Sequence, residues 1–402
     1  MAPPSAENAA PGARRYELRE LAWLFLKLGT TAFGGPAAHI AMMEDEVVRR
    51  RGWLTQEQFL DLLGATNLIP GPNSTELAIH VGHARAGWAG LVVAGVCFIA
   101  PAVVIVTACA FAYVRLGRLP EAAGVLYGVK PVVIAVVVQA LWRLGRTALR
   151  GPGLALLALG AALANALAAA ALVVLGGAAL AAAIVHGLRD RTRPAPPDAR
   201  AATTVLPPVL APTLLGVAGA GAAGAGASTA FGLWPLFTFF AKVGSVLFGS
   251  GYVLLAFLRG GLVHDRGWLT ESQLLDAVAI GQVTPGPVFT TATFIGYLLA
   301  GVPGAAVATV GIFLPAFVFV AASGPLVPRL RRSRLAGAVL DGVNAASLAL
   351  MAVVTAQLAG SGLVDRITLA LAVVAAICLL GTRVNSSWLM LGGAIVGLAV
   401  RS

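Results

Sequence analysis

The chain is predicted to be an all-α polytopic membrane protein made of two homologous helical halves. About 10–13 transmembrane segments fit its apolar runs, with helices broken at Pro-Gly-Pro turns. Three observations predict this. Of 402 residues, 58% are hydrophobic and only 11% charged, with mean hydropathy +0.86, whereas soluble proteins carry about 25% charged residues. Apolar runs over 86–114, 122–142, 302–326 and 336–358 exceed the roughly 20 residues that cross a bilayer core. The third observation is an internal duplication.

The first copy of the duplicated stretch covers 27–101 and the second 242–315. KLGTTAFGGP, RGWLTQEQFLD, LIPGP and GHARAGWAG in the first meet KVGSVLFGSG, RGWLTESQLLD, VTPGP and GYLLAGVPG in the second. Lys27 pairs with Lys242, Arg51-Gly52-Trp53 with Arg266-Gly267-Trp268, Asp61 with Asp276, and Pro70-Gly71-Pro72 with Pro285-Gly286-Pro287, at one constant offset. After the Pro-Gly-Pro turns the offset changes by one residue, and Gly82, Gly90, Pro101 and Gly128 meet Gly296, Gly304, Pro315 and Gly342. Such density at fixed spacing marks a tandem repeat.

The net charge of +11 does not point to nucleic acid, because the arginines sit in short loops between apolar spans, as topology signals do. Cys97, Cys109 and Cys378 lie singly in apolar spans and read as small buried hydrophobes. Residues 1–17 are polar and lack the apolar core of a signal peptide, so a disordered cytoplasmic tail is expected.

The first repeat domain is expected over 18–187. A first helix over 18–31 runs into the Phe33-Gly34-Gly35-Pro36 break, and an amphipathic segment follows over 37–51. Thr55 with Gln58, and Thr270 with Gln273, form T-x-x-Q capping boxes, so a new helix starts after each Trp-Leu pair. It carries Asp61 or Asp276 into the membrane and breaks at the Pro-Gly-Pro turn. Helices to Val114 and Trp142 come next, and 151–186 suits two small-residue helices that pack closely. A polar, proline-rich linker, 188–208, separates the halves. An extra span, 209–230, has no counterpart in the first half, and the second repeat fills 231–402.

One extra crossing inverts the second half. Loop 49–51 carries three basic residues and its partner 259–266 two; loop 115–118 carries two and 329–334 four; loop 143–150 carries three, against Arg366 alone. The bias fits halves of opposite orientation with a cytoplasmic linker, which is an inverted-repeat transporter.

FGGPAAHIAMMEDEVVRRRGWLT, LIPGPNSTELAIHVG and their degenerate second copies resemble the chromate transporter family in its long-chain, two-domain form. The resemblance covers nearly the whole chain from Leu18. It implies secondary export of chromate across the bacterial inner membrane, driven by the proton motive force, with sulfate as a close analogue. His83 stands where the family pattern has tyrosine, which the second copy keeps as Tyr297.

The residues themselves agree with an oxyanion. A helix broken at membrane depth frees backbone groups that lipid cannot satisfy, so such breaks line protein or water-filled cavities. Pro72 opens a half-helix, and the N–H groups of Asn73, Ser74 and Thr75 are expected to point from its positive end, where tetrahedral anions bind. Thr290 and Thr291 add hydroxyls in the second copy, and the Gly34-Gly35 break joins the candidate set. The bland alternative is a structural kink whose hydroxyls bond their own helix. Lys27 and Lys242 either neutralise a divalent anion or snorkel to an interface.

Glu76, His80 and His83 share one helical face. Three roles stay open: a proton relay, a metal site, or a helix end near the headgroups. Proton coupling is expected of Glu76, His80, Asp61 and Asp276, although structural ion pairs with Arg51 and Arg266 are the simpler role for Asp61 and Asp276. His39 has a packed helical position as its simplest role. No cofactor or resident metal is expected, and no dinucleotide loop, haem-ligand pair, H-E-x-x-H or nucleophile elbow supports an enzyme. The other transport class, a metal/proton exchanger on Glu76 and the histidines, predicts metal rather than anion dependence. Fused halves complete a pseudo-twofold without a second copy, so a homodimer is compatible but not required.

Overall fold

The computed structural model describes residues 11–33, 35–116, 120–167, 169–191, 231–247, 253–323, 333–382, 384 and 386–401. Among them are fourteen α-helices and no strand. The first half holds α1 (Pro11–Thr31), α2 (Pro36–Glu44, continued by a π-helical turn Asp45–Arg50), α3 (Gln56–Thr66), α4 (Asn73–Leu116), α5 (Pro120–Ala148), α6 (Pro152–Ala166) and α7 (Ala171–Arg191). The second holds α8 (Leu233–Val246), α9 (Leu254–Leu258, continued by a π-helical turn Arg259–His264), α10 (Glu271–Val283), α11 (Thr291–Ser323, after a 3-10 turn Val288–Thr290), α12 (Arg334–Gly362), α13 (Arg366–Gly381) and α14 (Ser386–Arg401). Helices α4, α5, α7, α11 and α12 contain stretches long and apolar enough to cross a membrane, and α6, α8, α9, α13 and α14 are shorter apolar helices. This is a multi-pass membrane architecture.

Local chemistry sets the ends. Both predicted capping boxes form, with Thr55 accepting from the Gln58 N–H and Thr270 from the Gln273 N–H. The Arg-Gly-Trp motif closes the preceding π turn. Gly52 and Gly267 take φ of 59° and 63°, a region that glycine enters without penalty. That turn returns the Trp53 N–H to Val47 O and the Trp268 N–H to Leu262 O, each at 2.8 Å. Arg51 and Arg266 then lie over their own tryptophans, 5.2 and 5.4 Å from the ring centroids.

Two boundaries are corrected. The tail expected over 1–17 is helical from Pro11 as part of α1, and its Glu17, with Glu20 further along the same helix, pairs with Arg85. The linker expected from 188 starts late because α7 continues to Arg191; its remainder, the span 209–230 and residues 1–10 lie outside the described residues.

Helix α4 is not one rod. Ala86 and Gly87 leave helical geometry, with Gly87 at φ 60°, and Ala300 and Gly301 do the same in α11. The chain folds back at each point into a helical hairpin whose arms touch at glycine. A methyl on Gly82 would lie 2.3 Å from Gly90 O, and one on Gly296 2.2 Å from Gly304 O. The Gly82, Gly87, Gly90 spacing therefore has a geometric cause: two glycines let backbones meet and the third makes the turn.

The halves are interleaved. α5 packs on α13 and α14 of the other half, and α12 packs reciprocally on α6 and α7. Glycine again allows the approach, with Gly128 against Gly393 and Gly397, and Gly342 against Ala178 and Ala182. In consequence α5, α6 and α7, joined by Ile99, Val106 and Ala110 of α4, share one buried core with the second half, whereas α1 to α3 and the stretch of α4 from Leu77 to Phe98 keep a smaller one around Phe25, Leu77 and Phe98. Residue i meets j of the other copy while j meets i, the signature of a twofold relation.

Candidate functional site

Proline has no N–H, so a Pro-Gly-Pro turn offers one backbone donor, that of its glycine. The Gly71 N–H donates to Leu247 O at 2.8 Å, and the Gly286 N–H to Ala32 O at 3.1 Å. Each turn thus docks on the end of the broken helix of the opposite half. Ala32 leads into Phe33 and Gly35; Gly34, and the corresponding Phe248 and Gly249, lie outside the described residues. Gly71 has φ 141° and Gly286 φ 87°, and methyl groups there would meet Glu76 Oε1 at 2.3 Å and Ala102 Cβ at 2.7 Å. Pro70, Pro72, Pro285 and Pro287 are all buried.

The half-helix after the first turn starts at Asn73. Its first two N–H groups, on Asn73 and Ser74, precede the intrahelical donors. The Thr75 N–H is not free as expected: it bonds Pro72 O at 2.8 Å, and the Glu76 N–H bonds the same oxygen at 3.0 Å. In the second copy the bland expectation holds. Thr290 Oγ1 donates to Pro287 O and Thr291 Oγ1 to Val288 O, both at 2.8 Å, so neither hydroxyl hydrogen is available to a ligand.

The first copy is different. Asn73 Oδ1, Thr75 Oγ1, both oxygens of Glu76 and His80 Nε2 are buried with no hydrogen-bond partner. Glu76 is 0% exposed. Asn73 does spend its amide nitrogen on Asn67 Oδ1, at 2.8 Å. Polar atoms left unpaired in a buried site are costly, and five such atoms lie together at the start of this one broken helix, with no equivalent group among the described residues of the second copy. His83, at the outer end of this arm, is exposed and lies edge-on to Trp88.

His39 proves to be a tie rather than a passive packer. It is buried, with Nδ1 3.3 Å from Ser74 Oγ and Nε2 3.1 Å from Ala32 O. Ala32 O therefore serves both His39 and Gly286, which links the two turns through one carbonyl.

The lysines do not behave as a matched pair. Lys27 Nζ bonds buried Glu46 at 2.9 Å, and Glu46 is shared with Arg51, which also reaches Glu20 at 2.7 Å. The position of Glu46 is Gly261 in the second copy, filled by Phe239, and Lys242 is exposed. The expected Asp276–Arg266 pair is also corrected. Asp276 is 3.0 Å from Lys130 of the other half and accepts from the Tyr113 hydroxyl at 2.9 Å. Arg266 instead donates to Gly261 O and covers Phe239. Asp61 is exposed.

Lys130 was missed although it interrupts the apolar run 122–142, and an intramembrane lysine is by itself a signal. Among the described residues no three His, Cys, Asp or Glu side chains are grouped to hold a metal ion.

A family model described as Chromate transporter matches residues 19–184 and 234–398, the two repeats. A chromate transport protein of Cupriavidus metallidurans is 33% identical over 98% of this chain and 96% of its own. A probable chromate transport protein of Synechococcus elongatus is 30% identical over 95% of each, and a chromate transport protein of Pseudomonas aeruginosa 31% identical over 83% and 79%. No solved structure matches the chain.

Proposed function

The chain belongs to the chromate transporter family, and from that premise we propose that it exports chromate across a bacterial inner membrane at the expense of the proton motive force. It is a transporter rather than an enzyme, as the family is. The observation that carries the proposal is the reciprocal docking of the two Pro-Gly-Pro turns, Gly71 on Leu247 and Gly286 on Ala32. It supports one shared site between two halves related by a pseudo-twofold; the inverted orientation and the cytoplasmic linker rest on the bias of the basic loops.

At that site the N–H groups of Asn73 and Ser74 and the Thr75 hydroxyl are the donors for a tetrahedral dianion. Glu76 adjoins the same turn. A dianion and an ionised carboxylate there repel each other, so the anion enters when Glu76 carries a proton, and His80, one turn along, relays it. A dianion accompanied by one proton still moves net negative charge outward. An interior-negative potential drives that movement by about 2.3 kcal/mol per charge per 100 mV.

The test is uptake of labelled chromate into inverted vesicles, with the potential and the proton gradient collapsed separately and with sulfate as competitor. Accumulation that requires the potential and falls with excess sulfate supports the proposal. Vesicles that contain the protein and accumulate no chromate overturn it.

A further inference from the structure

We propose that Lys130 is a second binding residue for the transported anion, held closed by Asp276 until the anion displaces that carboxylate. The inference rests on the transport function above. It starts from the seam between α5 of the first half and α10 of the second. At one end Lys130 Nζ lies 3.0 Å from Asp276 Oδ1 and 2.8 Å from Ser272 Oγ. Ser272 is exposed, whereas the Asp276 side chain is 4% and the Lys130 side chain 18% exposed. The ammonium therefore sits in the mouth of the seam with the carboxylate behind it.

Further along the same two helices, Val137 of α5 and Val278 and Gln282 of α10 line a small cavity together with Val288 and Thr291. Those last two residues follow the second Pro-Gly-Pro turn. Leu254, Leu255 and Leu258 complete the cavity's largely apolar lining, so the charged pair stands at the exposed end of an inter-half seam whose interior is apolar and ends beside that turn. An ammonium paired this deeply needs a negative partner, and a dianion arriving in the seam supplies one.

Two features make the device one-sided. The counterparts of Lys130 and Pro131 in the second half are Asn344 and Ala345, so the pseudo-symmetric seam has no cation. Pro131 also lies inside α5 and removes a helical hydrogen bond one residue from the pair, which lets α5 bend where the seam must open. Tyr113 steadies the closed state from α4, its ring 5.3 Å from that of Phe294.

The experiment compares wild type with Lys130→Gln, Lys130→Arg and Asp276→Asn. Chromate uptake is measured in inverted vesicles, and the shift in melting temperature on adding sulfate, a non-oxidising tetrahedral dianion, is measured on the purified protein. Lys130→Gln is expected to raise KM for chromate at least tenfold and to abolish the sulfate shift, with Lys130→Arg restoring most of both. Asp276→Asn removes the competing carboxylate and is expected to lower KM severalfold. A pair that is only a strut would lower the melting temperature in both neutral variants and leave KM and the sulfate shift unchanged, which overturns the proposal. If wild type moves no chromate but is stabilised by sulfate through Lys130, the chromate function falls and the Lys130 site stands. Absence of both responses in wild type overturns both.

Discussion

Gly71 and Leu247 are joined by a 2.8 Å backbone hydrogen bond across the two halves, and Gly286 and Ala32 repeat it across the pseudo-twofold at 3.1 Å. Because each turn has a single N–H, the contact between halves and the shape of the candidate site are set by the same atom.

Substitution at these glycines is expected to be severe. Gly71→Ala combines φ 141° with a methyl 2.3 Å from Glu76 Oε1, and Gly286→Ala combines φ 87° with a methyl 2.7 Å from Ala102 Cβ. Backbone strain alone costs about 1–3 kcal/mol. Both variants should melt lower than wild type in detergent and lose chromate uptake; wild-type behaviour of either would mean that the turn is not tightly held.

The hairpin glycines separate into two kinds. Gly87 has φ 60° and ψ −147°, a region essentially confined to glycine, and open space around it, so Gly87→Ala should cost the backbone strain alone, about 1–3 kcal/mol. Gly82→Ala puts a methyl 2.3 Å from a backbone oxygen and should cost more, because the two arms must part. The ranking is checked by thermal unfolding of the two purified variants, and equal melting temperatures would contradict the hairpin contact.

Glu76→Gln tests the coupling. The amide keeps the shape of the protonated carboxyl in a site where neither oxygen has a partner, and an unpaired charge there is expensive. Stability should be unchanged or slightly raised. Uptake driven by the potential should persist, while its dependence on the proton gradient disappears. Retained gradient dependence would place the coupling proton elsewhere.

Asp365 provides a pH signature outside the membrane spans. Its carboxylate caps α13, accepting from the Thr368 N–H at 2.8 Å and from the Tyr127 hydroxyl of the other half at 2.6 Å. These bonds, the Thr368 N–H foremost, hold the carboxyl below its usual range. A depressed folded value gives stability that is present above the unfolded value, about 3.9, and is lost as pH falls through the folded one. Asp365→Asn should therefore flatten the acid side of the melting-temperature profile below about pH 4. An unchanged acid limb would rule this cap out as a contributor.

Much of the architecture was legible in the chain. The duplication, the helix starts at Thr55 and Thr270, and the breaks at Pro-Gly-Pro follow from local chemistry, because caps, prolines and apolar periodicity act over a few residues. The pairing of Gly82 with Gly90 was visible as a repeated spacing, though not as a hairpin. Hydroxyls and lysines were harder. Thr290 and Thr75 carry the same chemical group, and only the three-dimensional backbone decides that one is satisfied by its own helix while the other is not.

The sequence by itself determined that two like halves meet in a membrane through broken helices, because composition and repeat spacing need no folding to be read. The tertiary structure alone decided that α5 and α12 exchange partners, that Lys27 is committed to Glu46, and that Asp276 turns to Lys130 rather than Arg266. Those outcomes depend on how closely backbones approach at Gly128, Gly342 and the two turns, and on which charge is nearest once they have done so. Neither quantity is encoded in any short window of the chain.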